Sequence, residues 1–489
     1  MHPTPASRLR RALPLVLVVL GLIVSAIELA HSPYVRPGAL LDARGMICVG
    51  QAANAGRDPY ATEPERTCEH AIGVSAVSDD PQAVMGFALP GYLVPPLGLL
   101  ARLPLDDALV VFLALAVTAL AAAIVVLVRA FRVPPALATA ALAFAVGFPT
   151  LSLGQLGTFV LLTVVATAAA LHTRRNALAG LLGATTLVEP HVGVFVGLAL
   201  LVWVPRARAT FLAGTLALVA LAVAATGLSS QLQLVLHDLR FVALAELHQG
   251  QQYSAAYLAA WFGASPNAAV DVGAASTAVM LGVGVWLAGA WRTREPGGIA
   301  LLPAACATLG GAYIHSTQIG VAIPAALVLV PLVRTRTERA LVMVALVLLA
   351  IPWFDAALVK QLLPLTLTTL AVLVWSLTGG SWARTAVAVA ACWLVLLPIE
   401  NHPPPAPVPP PRVASAPGDL PSAQTWLLIH GNDRSDLWHL LVKVPTWLGL
   451  LALVIAAGAM AWPSDRKRDA ARPSLARGPA AGTPSTGIR

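Results

Sequence analysis

Charge is scarce in this chain. Of its 489 residues only 11% are Asp, Glu, Lys or Arg, against 57% hydrophobic, and the mean hydropathy is +0.77. So little charge over so much apolar sequence excludes a soluble globular protein. Walker, zinc and dinucleotide motifs are missing, so no cofactor is expected. A second copy of the Asp-Pro-Tyr or Glu-Pro-His pattern is missing too, and a transporter built from repeats with matching broken helices would be expected to show one.

Apolar runs of roughly 17 to 25 residues recur along nearly the whole length, the length a tilted helix needs to cross the hydrocarbon layer. The expected fold class is therefore an all-α polytopic membrane protein. The net charge of +8 would suggest nucleic acid in a soluble chain. Here the basic residues sit in short clusters between apolar runs and report topology, so no nucleic-acid partner is expected and membrane lipids are.

The N-terminal segment has a basic start, Arg8, Arg10 and Arg11, but its apolar run, about 12–30, is too long for a cleaved signal and reads as a retained first helix. Clusters at Arg129 and Arg132, Arg174 and Arg175, Arg206 and Arg208, Arg292 and Arg294, Arg334 to Arg339, Arg384, and Arg466 to Arg468 are placed in the cytoplasm. One threading satisfies them all. It gives a membrane domain over 1–462, with outer loops at 31–85, 229–267 and 400–443, and a basic, disordered cytoplasmic tail at 463–489.

Within that threading, residues 87–103 are too broken by Pro90, Pro95 and Pro96 to span, and lie along the interface or re-enter. Helices are expected at about 107–128, 135–147, 157–171, 177–188, 192–204, 211–228, 272–291, 299–313, 318–333 and 444–462, with three more between 333 and 399. Glu189-Pro190-His191 breaks two short halves on the outer side. The outer segment 229–267 is mildly amphipathic and is expected to rest on the membrane surface. A proline-rich linker begins near Asn401. Cys306 and Cys392 lie in apolar runs as packing residues; Cys48 and Cys68 share the first outer loop, where a disulfide is permitted and two free thiols are the alternative.

The threading was not built to gather polar residues, yet Asp42, Asp58, Gln155, Glu189, His191, Gln252, His315 and Gln318 all fall on the outer side. Ionisable groups at a membrane edge are costly and are functional candidates. A scaffold would have no reason to collect them. Asp42, followed by the turn Gly56-Arg57-Asp58-Pro59-Tyr60, would suit a fixed base followed by a loop.

The ordered series Asp42, GRDPY, FALPGYLVPPLGLLARLPL, LGQLGTFVLL, HTRRNALAGLLGATTLVEPHVGVFVGLALL and AYIHSTQIGVAIPAALVL, over about 10–335, resembles glycosyltransferase family 87, whose members are multi-spanning GT-C type enzymes. Glu189 stands where that family usually has Lys before the proline, and Gln318 where it often has an acid. The resemblance implies transfer of a sugar, a mannose-like hexose, from a polyprenyl-phosphate donor to a glycolipid or glycan acceptor. The reaction would take place at the extracytoplasmic face of the plasma (bacterial inner) membrane, with inversion. Asp42 is the expected base and His315 the group that orients phosphate or acceptor. Asp58, Tyr60, Gln155, Glu189, His191, Gln252, Gln318 and Arg44 are the substrate-binding candidates, with no metal ligand among them. Asp58 is also suited to serve its own turn, Glu189 and His191 to line a cavity, and Arg44 and Arg240 to meet a phosphate as outer cations. The alternative reading is a lipid or glycolipid transporter or flippase with an outward-facing polar cavity.

Overall fold

The computed structural model describes residues 40–73, 84–86, 88–400, 420–430 and 436–462, with isolated positions between 16 and 24. Most of the expected first helix at 12–30, Phe87, the proline linker and the tail 463–489 lie outside the described residues. Among those residues the secondary structure is helical, with two isolated β-bridges and no strand.

Among the described residues six helices are long and apolar enough to cross a membrane: Leu105–Ala130, Pro135–Leu153, Pro205–Thr226, Pro266–Trp291, Lys360–Leu377 and Leu437–Ala461. Shorter apolar helices include Gly157–His172, Asn176–Val188, Pro190–Trp203, Gly298–Gly310 and Ser316–Leu332. Proline repeatedly opens them, at Pro135, Pro190 and Pro266. Its fixed φ suits the first turn and its missing N–H would have had no partner there. Ser265 completes one such start by accepting from the Ala268 amide at 3.4 Å.

Burial separates a centre from a rim. In Gly298–Gly310 every residue but Leu309 is buried, so this helix is surrounded by protein. Pro205–Thr226 instead exposes Leu212, Leu216, Val219 and Leu221, the apolar surface a lipid-facing helix presents. The main core joins the central helix to Gly157–His172, Pro190–Trp203, Ile323–Leu329 and Val444–Ala461.

Helix ends sort by chemistry. Where Gly157–His172, Pro190–Trp203 and Pro266–Trp291 finish, His172 Nδ1 lies 2.8 Å from Glu295 Oε1 and the Arg292 guanidinium sits 4.9 Å from the Trp203 ring centre. The opposite ends of the first two helices carry Gln155 and Glu189, which share one chamber.

Two segments differ from the sequence reading. The stretch after Leu40, read as a fixed acid followed by a loop, folds as two helices, Leu41–Asn54 and Thr62–Ala71, joined by a Cys48–Cys68 disulfide with Cα atoms 5.6 Å apart. Two glycines and two charges weaken that first helix in isolation. Packing holds it: Gly50 lies so close to the Leu97 carbonyl that a Cβ would come within 2.4 Å of the oxygen, and Asn54 Nδ2 donates to the Gly98 carbonyl at 2.8 Å. The segment assigned to the membrane surface, 229–267, forms Leu228–Gln233, Leu239–Ala245 and Ala255–Trp261. Leu232, Val235 and Leu236 are exposed there as expected, while Val242 and Ala243 are buried and form a wall of the chamber.

Candidate active site

The chamber has a volume of about 390 Å³ and draws its polar lining from Asp42, Gln155, Glu189, His191, Glu246, Thr277, Tyr313, His315 and Gln318. These residues come from six separate parts of the chain. Local backbone geometry explains how they meet.

Asp42 stands in the first turn of Leu41–Asn54, where the helix dipole favours a negative charge. The start of that helix is tied to the hairpin by the Leu40 amide, which donates to the Ser152 carbonyl at 2.7 Å. Gly154 has φ of +80°, and a Cβ on it would fall 2.5 Å from the Ala43 Cβ. Only glycine makes this turn so close to Ala43, and the turn sets Gln155 where its side chain hydrogen-bonds Asp42. Burial pushes the Asp42 carboxyl up to about 6, and Glu246 pushes the same way; the Gln155 bond and the charge of His315 act against both.

His315 is the N-cap residue of the helix that follows it, in a capping box: its amide donates to Gln318 Oε1 at 2.9 Å. Its Nε2 is hydrogen-bonded to Glu246 Oε2. Burial disfavours charge on the imidazole, but the Glu246 carboxylate, with Asp42 and Glu189 further off, outweighs burial and raises its pKa above the usual histidine range. Gln318 Nε2 donates to Glu189 Oε2 at 3.2 Å, and His191 Nδ1 lies 3.5 Å from that same oxygen. The other ring nitrogen of His191 is buried and has no hydrogen-bond partner among the described residues. Thr317 Oγ1 donates to Gln155 Oε1, linking the Gln155 and His315 sides of the site.

Five candidates stand outside the lining. Asp58 accepts from the Tyr60 amide at 3.0 Å, so it serves its own turn. Tyr60 is buried and its hydroxyl donates to the carbonyl of Leu89, a lining residue, at 2.8 Å; Gln231 Nε2 donates to the same hydroxyl at 3.1 Å. Gln252 Oε1 accepts from the Ile314 amide at 2.7 Å and so holds the backbone beside His315. Arg44 Nη1 donates to the Ile72 carbonyl at 3.0 Å. Arg240 lies 3.6 Å from Asp271 on the exposed surface.

The sequence reading missed Glu246 and Trp426. Glu246 is the single acid in ALAELHQGQQY, and its partner lies 69 residues away, so no local pattern marks it. Trp426 reaches the chamber because the segment before it pairs with the turn after Asp58: the Thr62 amide donates to the Leu420 carbonyl, and the Ser422 amide to the Tyr60 carbonyl, both at 2.8 Å. Behind this wall Glu65 and Glu69 are buried. Burial pushes the Glu69 carboxyl up to about 8 although it accepts from the Met85 amide, and raises Glu65 well above the carboxylate range.

A bundle of membrane-spanning helices with a carboxylate-rich chamber at one end is the frame of a polytopic membrane enzyme. Residues 90–317 match the model of glycosyltransferase family 87, which supports the resemblance read from the ordered motifs and, with it, a membrane glycosyltransferase. The match includes Gln155, Glu189, His191, Glu246 and His315, and begins downstream of Asp42. No curated protein and no solved structure matches the chain.

Proposed function

We propose that the chamber transfers a hexose, mannose-like, from a polyprenyl-phosphate donor to a hydroxyl of a glycolipid or glycan acceptor at the extracytoplasmic face of the plasma (bacterial inner) membrane. The observation that carries the reading is the presence in one chamber of a carboxylate, Asp42, and an imidazole, His315, with its own carboxylate partner, Glu246. The acceptor oxygen attacks the anomeric carbon as the bond from that carbon to the phosphate oxygen breaks. Asp42 takes the acceptor proton, and polyprenyl phosphate leaves. A single displacement of this kind inverts the configuration.

Among the described residues no Lys or Arg lines the chamber. The charge on the departing phosphate is therefore met by His315, which Glu246 favours in its protonated form, and by the N-terminal end of Pro190–Trp203. Where the family usually places Lys, Glu189 instead holds Gln318 and His191. The buried, unpartnered nitrogen of His191 suits a sugar hydroxyl.

The test is radiolabel transfer by the reconstituted full-length protein from a panel of polyprenyl-phosphate sugars. The expected result is label in a lipid or glycan product from a hexose donor, lost in Asp42→Asn while donor photo-crosslinking persists. No transfer from any donor in the panel, with the protein folded, would overturn the reading.

A further inference from the structure

At the basic end of the bundle a second cavity, of about 270 Å³, opens between the ends of three helical stretches far apart in sequence. Arg294 and Trp291 come from one, Arg334 and Glu338 from the second, and Met460 and Trp462 from the third. Arg294 Nη1 donates to the Met460 carbonyl, which fixes one edge of its guanidinium at the cavity. Glu338 also lines the cavity, with its carboxylate fixed in a capping box where it accepts from the amides of Arg334 at 2.7 Å and Thr335 at 3.0 Å, so the two arginines leave the lining with one positive charge in excess. Arg292, Arg336 and Arg339 flank the opening in sequence, while Glu295, the other nearby acid, is taken up by His172.

Tryptophan marks the rim. Trp291 is buried with its Nε1 donating to the Ala457 carbonyl at 3.0 Å, and Trp462 is 71% exposed just past the last spanning helix. Indole rings at the ends of spanning helices sit at headgroup level. The cavity thus combines a guanidinium pair, an excess of positive charge and a depth at which lipid phosphates lie.

We propose that this cavity binds the phosphate of an anionic lipid headgroup, held between Arg294 and Arg334. The site is separate from the chamber and does not depend on the reaction proposed there. Native mass spectrometry of the full-length protein, titrated in neutral detergent with phosphatidylglycerol, phosphatidylcholine or inorganic phosphate, tests it. The wild type should retain phosphatidylglycerol over phosphatidylcholine. Arg294→Gln or Arg334→Gln should each weaken retention about fivefold and the double variant roughly thirtyfold, as expected when a nearby Arg contributes on the scale of one lipid–cation contact. Arg129→Gln, at the same end but outside the cavity, should leave it unchanged. Equal retention by the double variant, equal loss in Arg129→Gln, equal binding of the two lipids, or retention of inorganic phosphate without lipid would each overturn the assignment.

Discussion

The two ends of the bundle hold opposite chemistries. One gathers Asp42, Glu189 and Glu246 with two imidazoles around a chamber that no Lys or Arg lines among the described residues; the other gathers Arg294 and Arg334 around a smaller cavity. The difference shows what a fixed cation would do in each place. At the basic end permanent charge suits a permanent anion. In the chamber a guanidinium beside Asp42 would hold the carboxyl ionised but also weaken it as a base, whereas burial leaves it near 6 and basic enough to accept a proton. In the proposed reaction positive charge there comes from His315, which can lose it.

The sharpest way to break this contrast is Asp42→Asn. Asn keeps the shape and cannot take a proton, so turnover should fall by roughly a hundred to ten thousand fold while donor binding persists. Near wild-type transfer would move the base elsewhere. His315→Ala should cost less, because it removes phosphate charge stabilisation and leaves the base in place. Glu246→Gln sharpens the point through pH. Wild-type turnover should rise as pH passes about 6 and Asp42 ionises, then fall at higher pH as His315 loses its proton. With Gln at 246 the stabilising carboxylate is gone, so the falling limb should move to lower pH. An unmoved limb would separate His315 from the chemistry.

Gly154→Ala tests the backbone that brings Asp42 and Gln155 together. A Cβ at positive φ costs on the order of 1 kcal/mol and here also meets Ala43, so both the unfolding midpoint and turnover should drop. The smallest effect is expected from Glu69→Gln. Folding raises the Glu69 pKa to about 8, so the folded state holds an extra proton between the ordinary Glu value and that point, and stability falls as pH rises through this window. The variant should unfold like wild type below the ordinary Glu value of 4.5 and be the more stable at pH 8.5, as read by thermal melts.

Most spanning helices were legible because run length and proline position both mark them. Gly298–Gly310 and Ser316–Leu332 read as clearly as the rim helices, since a helix apolar all round is compatible with lipid or protein neighbours. The convergence of Asp42, Gln155, Glu189, His191, His315 and Gln318 was legible through the basic clusters at the other end, which fix the side on which each polar junction falls. Glu246 was not, because an amphipathic segment shows which face is apolar but not that its other face closes a chamber. The helix bearing Asp42 was not legible either. Gly45 and Gly50 weaken it in isolation, and only its packing shows why it forms: Gly50 lies against the Leu97 carbonyl and Cys48 is bonded to Cys68.

The pairing of Thr62 with Leu420 spans 358 residues. A chain emerging from the ribosome makes the Asp42 helix near the start and Trp426 near the end, so this wall can close only when synthesis is almost complete. Until then the nascent protein holds a half-built chamber, and a chain cut short before Leu420 would keep every residue of the family match yet leave Thr62 without the Leu420 carbonyl.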